Sequence, residues 1–283
     1  MGKSFDPRAA LALPTRDSEG LRFIGEGYEV AQYQLHEAVF RGLSPTVVSR
    51  FVRRWEEKGL LASGRLHGFG MNRLRLTSHG KTALVSLGIA TDEQLFVPRR
   101  SVALKDLAHT LWINDGRIVL GRFFPRAVVL PAWALGRLEE RPPVVPDILA
   151  LVRPNRARNG LSLAVEVDLG GEPLMRVFLP KLGVLRSFLQ GAADTRSAIV
   201  ILTNAPGRRL TLEKALRAAK ETTPVAVELL PDSSGREGLI ALERLFSPLV
   251  DANSQREDRN TSPRNELALP HGTGFGRETE ATR

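Results

Sequence analysis

Between Ser44 and Gly59 the apolar residues Val47, Val48, Phe51, Val52 and Trp55 recur three and four positions apart, which predicts a helix with one buried face. Ser44 suits its N-cap and Pro45 its first turn, where a missing N–H costs nothing. Gly59 closes it by supplying a left-handed residue after the last turn. Ser49, Arg50, Arg53 and Arg54 fall largely off the apolar face. Upstream, Tyr28 to about Phe40 predicts a preceding helix, with Arg41-Gly42-Leu43 as a tight turn. Downstream, Leu60-Leu61-Ala62, the stretch from Arg65 to Phe69 and the alternating Asn72-Arg73-Leu74-Arg75-Leu76 predict two short strands around a tip bearing Gly68 and Gly70. Thr77-Ser78-His79-Gly80 then opens a closing helix.

The pattern changes after Arg100. A helix is predicted from Val102 to about Phe123, with Leu104, Leu107, Leu111, Ile118 and Val119 facing inward. Strand-like runs follow at 126–130, 144–152 and 161–168, then a helix at 172–190, a strand at 197–203, a helix at 211–221, a strand at 225–230 and a terminal helix at 237–246. That order predicts an α/β domain with a central mixed sheet over about 101–250. Residues 1–23 read as a flexible arm, 24–88 as the helical module, 89–100 as a connector, and 251–283 as a disordered polar tail.

Composition sharpens the picture. The chain has no cysteine, which excludes a disulfide framework, a thiolate metal site and a cysteine nucleophile. No apolar run reaches the roughly 18 residues of a membrane span, and no signal peptide is visible, so a soluble cytoplasmic protein with no membrane partner is expected. Lys and Arg number 40 against 31 acids, a formal charge of +9. Between Arg41 and Lys81 nine basic residues face two acids, a local charge of +7. A basic excess concentrated in this way suits a phosphate-binding surface. The order helix, turn, helix, hairpin, helix over residues 24–88 resembles winged helix-turn-helix DNA-binding domains. The resemblance implies double-stranded DNA as partner, with the Ser44–Gly59 helix in the major groove. Ser49, Arg50, Arg53 and Arg54, with Arg65, Arg73 and Arg75 of the wing, would contact bases and phosphates.

Acids inside apolar strands need a partner, a proton or a metal, because burying a lone carboxylate is expensive. Asp147 follows Pro146 on one predicted strand. Glu166 and Asp168, two apart on the next, point to one face. Three such oxygens converging would suit Mg²⁺ or Mn²⁺; alternatively, Glu166 and Asp168 form a metal-free network with Lys181, Arg176 or Arg186. The sequence Pro146-Asp147 followed by Glu166-x-Asp168 resembles the PD-(D/E)XK nuclease core, whose acids on adjacent strands hold a divalent ion. Where that pattern has a lysine two residues after the second acid, this chain has Asp168.

A resemblance over nearly the whole ordered chain is to the plasmid replication–relaxation family, which includes MobC-type mobilisation relaxases and joins a winged helix to a nuclease-like domain. The residues carrying it are His109-Thr110-Leu111-Trp112-Ile113-Asn114-Asp115, the Pro146-Asp147 strand, the Glu166-x-Asp168 strand and Lys181. The resemblance implies Asp147 and Glu166 as metal ligands, Asp168 as an auxiliary acid, Lys181 as a phosphate contact or charge balancer, and His109 lining the same site. It leaves two functions open. One is a metal-dependent DNA-nicking relaxase. The other is a non-catalytic DNA-binding regulator or replication accessory, whose degenerate domain serves dimerisation or contact with other plasmid mobilisation or replication proteins. The only tyrosines are Tyr28 and Tyr33, within the basic module, which disfavours a tyrosine-nucleophile relaxase. No phosphate loop, dinucleotide fingerprint or zinc-protease motif is present.

Overall fold

The computed structural model describes residues 13–66, 71–98, 100, 102–152, 160–190, 195–218, 225–230 and 235–247. The expected tail at 251–283 and the first part of the expected arm lie outside them. The rest of that arm departs from expectation: α1 (Thr15–Glu26) is a helix that buries Leu21 and Ile24 completely. The other residues of its buried face are Asp17, Ser18, Gly20 and Gly25, so no apolar period announces it. A Cβ on Gly20 would lie 2.5 Å from the Trp55 ring, so the bare backbone is what lets α1 lie against that indole.

A single helix from Tyr28 does not form. Tyr28 sits at φ 64, a left-handed value that halts α-helical propagation, and the chain continues as β1 (Val30–Ala31) and α2 (Gln32–Val39). Helix α3 (Pro45–Glu57) starts at the predicted proline and buries Val48, Val52 and Trp55. Gly59 follows at φ +67, as the left-handed residue expected there. Strands β2 (Leu61–Leu66) and β3 (Met71–Leu76) pair antiparallel, and β1 adds to β3, giving the order β1-β3-β2. The tip that joins β2 to β3 lies outside the described residues. In α4 (Ser78–Ser86) the Thr77 hydroxyl caps the first turn by accepting from the Gly80 amide. Trp55, Phe40, Leu35, Leu74 and Leu84 join Leu21 and Ile24 in one core.

The second unit is a three-layer α/β arrangement. Its elements are α5 (Leu104–Phe123), β4 (Val128–Pro131), α6 (Ala132–Leu135), β5 (Ile148–Val152), β6 (Gly160–Asp168), a π-helical turn (Leu174–Phe178), α7 (Leu179–Gln190), β7 (Thr195–Thr203), α8 (Pro206–Ala218), β8 (Val225–Leu229) and α9 (236–247). The five strands form a mixed sheet in the order β4-β5-β6-β7-β8: β4, β5 and β6 pair antiparallel, and β6, β7 and β8 parallel. Val165, Val167, Val200 and Leu202 pack on one face with residues of α5 and α9. Ala164, Ile199 and Ile201 pack on the other with α7 and α8. Strand β6 is thus covered on both faces, which explains why it reads as a nearly unbroken apolar run. Among the described residues no helix is long and apolar enough to cross a membrane.

Candidate functional site

The β5–β6 register pairs Ile148 with Val165, which sets Asp147 across from Glu166, neighbouring positions on one face of the sheet. Asp147 stands just before β5. Its Oδ2 accepts from the Val167 amide at 2.7 Å, so the carboxylate extends the ladder where the strand pairing ends. His109 of α5 places Nε2 3.1 Å from the same oxygen. On β6, Glu166 is 1% exposed and its Oε2 accepts from Lys181 Nζ of α7 at 2.7 Å. Its other oxygen, Oε1, is buried with no hydrogen-bond partner. These groups line a cleft of about 240 Å³ at the end of β6, together with Asp106, Asp168 and Glu172.

Asp168 shares the cleft but not the cluster. Its Oδ2 is bound by Arg208 Nε of α8, and its Oδ1 accepts from the Gly170 amide at 3.0 Å. The expected convergence of three carboxylates is therefore not formed, and no group of three or more His, Asp or Glu among the described residues is arranged to hold a metal ion. The cation on Asp168 is Arg208, not Arg176 or Arg186; it also donates to the Glu172 carbonyl at 2.7 Å. Sequence reasoning missed Arg208 because the helix carrying it was expected to begin only at Thr211, whereas α8 begins at Pro206.

Burial pushes the Glu166 carboxyl up, the Asp147 charge adds to this, and Lys181 opposes both. For His109, burial pulls the imidazole down, but the hydrogen bond and charge of Asp147, with Glu166 and the Val167 backbone, outweigh it and hold it above its ordinary value. Lys181 is likewise lowered by burial and raised overall by Glu166. The cleft has a strongly acidic lining, and the unsatisfied Glu166 Oε1 is the observation that fits a divalent cation. Asp147 and Glu166 are hard oxygen donors of the kind Mg²⁺ or Mn²⁺ prefer.

In the N-terminal unit Thr46, Ser49, Arg50, Arg53 and Arg54 are exposed on α3, a face that recurs at helical spacing. Arg53 is 82% exposed beside Glu57, and Arg54 is tied to the buried Asp17. Ser49 accepts from Gln32 Nε2 at 2.8 Å, and Gln32 Oε1 accepts from Asn72 at 3.1 Å, so α2, α3 and β3 are stitched together at the surface. Arg65 is exposed on β2. Arg73 and Arg75 depart from expectation. Both turn toward the fully buried Glu29, at 3.6 and 3.9 Å, and are 23% and 27% exposed.

Helix α5 also clamps the N-terminal unit. Asn114 Nδ2 donates to the carbonyls of Gly27 (3.0 Å) and Glu29 (2.9 Å), on either side of the left-handed Tyr28. Such a conformation costs roughly 1–3 kcal/mol and persists only where its surroundings over-determine it. Here Tyr28 also packs against Phe96 and Trp133. Gly27 is required because a Cβ would meet Val30 Cγ2 at 2.3 Å. Asp115, fully buried, accepts from Tyr33 Oη at 2.8 and 2.9 Å and from Gln34 Nε2 at 2.7 Å. Arg117 pairs with Glu26 and Arg122 with Glu37. The segment His109–Asp115, read from sequence as one motif, thus divides its work: His109 serves the cleft, and Asn114 and Asp115 serve the joint.

Fold and site define a mixed α/β protein with an acidic, lysine-bearing cleft joined to a basic helical unit. No protein-family model, curated protein or solved structure matches the chain.

Proposed function

We propose that this chain is a DNA-processing protein of the plasmid replication–relaxation type, whose winged-helix unit binds duplex DNA and whose PD-(D/E)XK-like unit nicks it. The observation that carries the reading is the cluster of Asp147, Glu166 and Lys181: one carboxylate on β6 and one at the entry to the neighbouring β5, a lysine 2.7 Å from the first, and a buried Glu166 oxygen without a partner. The element order α1-β1-α2-α3-β2-β3-α4, with α3 exposing Ser49, Arg50 and Arg53, supports the DNA-binding half.

Mg²⁺ or Mn²⁺ held by Asp147 and Glu166 would offset the acidic charge and supply an activated water. The chain's own groups prepare the site for a phosphodiester. Lys181 brings from α7 the cation that the nuclease pattern places two residues after its second acid. Asp168 occupies that position here, and Arg208 neutralises it. Lys181 stands where it can stabilise phosphate charge, while Asp147 orients His109 as a proton carrier at the rim.

One feature favours a non-catalytic regulator or replication accessory: His109, Lys181 and Arg208 already partner all three carboxylates. Supercoiled plasmid incubated with Mg²⁺ or Mn²⁺ separates the two readings. Nicking that Asp147→Asn and Glu166→Gln abolish is the expected result; nicking that survives both removes the site assignment, and DNA binding without any nicking selects the regulator. In gel shifts Arg50→Ala and Arg53→Ala should each reduce the slope of log K against log salt by about 1. Arg73→Ala, whose side chain faces Glu29, should alter that slope less than either.

A further inference from the structure

The first three turns of α5 have two working sides. Leu107 and Leu111 are buried against Ala31 of the N-terminal unit, and the Leu111 carbonyl accepts from Gln34 Nε2 at 2.7 Å. Asp106 and His109, on the other side, line the cleft. One helix, about 10 Å across, is therefore all that separates the N-terminal unit from the cleft at this point. Ala31 leads directly into Gln32, the residue that bonds both Ser49 of α3 and Asn72 of β3. A continuous chain of packed contacts runs from the exposed α3 surface through Gln32, Ala31 and α5 to His109. It is braced by the grip of Asn114 on two carbonyls, by the buried Asp115 with Tyr33 and Gln34, and by the indole of Trp133, which donates to the Glu26 carbonyl at 2.8 Å. Nothing in that chain resembles a flexible linker.

We infer that α3 and the cleft engage one and the same DNA duplex, with the α5 joint fixing the distance between the bound sequence and the backbone presented to the cleft. The inference rests on the DNA-processing reading above and adds to it a geometry: action in cis, at a constant offset from the recognition sequence. DNA seated on α3 therefore meets the cleft at one fixed offset from the contacted bases, on one flank only.

The absence of cysteine makes a direct test available. Gly171 lines the cleft and is exposed, and a Cβ there meets nothing within 4 Å. Gly171→Cys therefore places a single thiol at the rim, to which an iron–EDTA chelate is attached. The full chain is first used to select its preferred sequence from a randomised duplex pool. The conjugate is then bound to that end-labelled duplex, and hydroxyl-radical scission is mapped without reliance on any nicking by the protein. Scission should cluster at a few adjacent nucleotides, on one flank of the footprint. The same conjugate carrying Asn114→Ala or Gln34→Ala, each checked for folding by its melting transition, should keep the footprint and spread the scission over more positions. A footprint with no tethered scission, or with equal scission on both flanks, overturns the inference and leaves DNA binding intact. Failure to enrich any sequence or to give a footprint overturns the DNA-binding reading itself. Focused scission that neither joint substitution broadens would remove the role assigned to α5.

Discussion

Replacing Asp115 with asparagine should make the protein more stable above neutral pH and flatten its response to pH. The reason lies in the wiring of the joint. Gln34 Oε1 accepts from the Ala31 amide at 3.0 Å, so the amide group of Gln34 is fixed with its two N–H bonds on the Leu111 carbonyl and Asp115. Asp115 must therefore accept from Gln34, while the Tyr33 hydroxyl can either donate or accept. A neutral Asp115 satisfies both neighbours by accepting from Gln34 and donating to Tyr33, and asparagine keeps both bonds while bringing one further amide N–H. Burial raises the Asp115 carboxyl from 3.8 to about 7, against the opposing pull of Gln34, Tyr33 and Arg122. Between those values the folded chain keeps a proton that the unfolded chain has released, so stability falls as pH rises through the window and levels off above about 7. At about 1.4 kcal/mol per pH unit, the fall attributable to this group from pH 5 to pH 7 is on the order of 3 kcal/mol. Other titrating groups contribute equally to both proteins and cancel in the comparison. Urea unfolding followed by tryptophan fluorescence reports on both units, since Trp55 lies in one and Trp112 and Trp133 in the other. Asp115→Asn should equal or fall somewhat below the wild type near pH 4, where its additional amide N–H is buried, and should exceed it at pH 8. A variant with the wild-type decline between pH 5 and 7, or one weaker than wild type at pH 8, would refute this account of the joint.

Two further outcomes test the packing and the cleft. Gly20→Val should lower stability by at least 1–3 kcal/mol, the usual cost of forcing extra atoms into a packed core, because the first added carbon already falls 2.5 Å from the Trp55 ring; an unchanged melting temperature would show that α1 does not lie against Trp55. Lys181→Met should destabilise the fold by several kcal/mol by leaving Glu166 buried without its cation, and adding Glu166→Gln should restore most of the loss. A double-mutant cycle with no coupling would dissolve the pair.

Much of the scaffold was legible because periodicity reports burial. The Ser44–Gly59 helix is marked by Val48, Val52 and Trp55, and β6 by its apolar run, whose two-residue period sets Glu166 and Asp168 on one face. Helix α1 is not legible, since Asp17, Ser18, Gly20 and Gly25 share its buried face with only Leu21 and Ile24. Arg73 and Arg75 read as surface groups because nothing local marks Glu29 as buried; that follows from the turn at Tyr28 and from Val102, whose amide donates to Glu29 Oε1 at 3.0 Å. The partner of Asp168 was equally hidden, since Arg208 arrives from a different element forty residues later. Pairings set by tertiary approach leave no periodic trace.

The position of Glu29 connects these observations. Its carboxyl is pushed up by burial, while the Val102 amide, Arg73 and Arg75 pull it back, and its Oε2 has no hydrogen-bond partner. One end of this cluster is strand β3, beside the surface that would meet DNA. The other is the segment entering α5, the helix that carries His109 into the cleft and Asn114 and Asp115 into the joint. Arginines held at 3.6 and 3.9 Å without a hydrogen bond are weakly committed compared with Arg208 on Asp168 or Lys181 on Glu166. A change in the wing that drew Arg73 or Arg75 away would leave Glu29 more costly to keep ionised and push its carboxyl further up. The basic unit and the segment entering α5 are thus joined through a buried acid as well as through the contacts of Asn114 and Asp115.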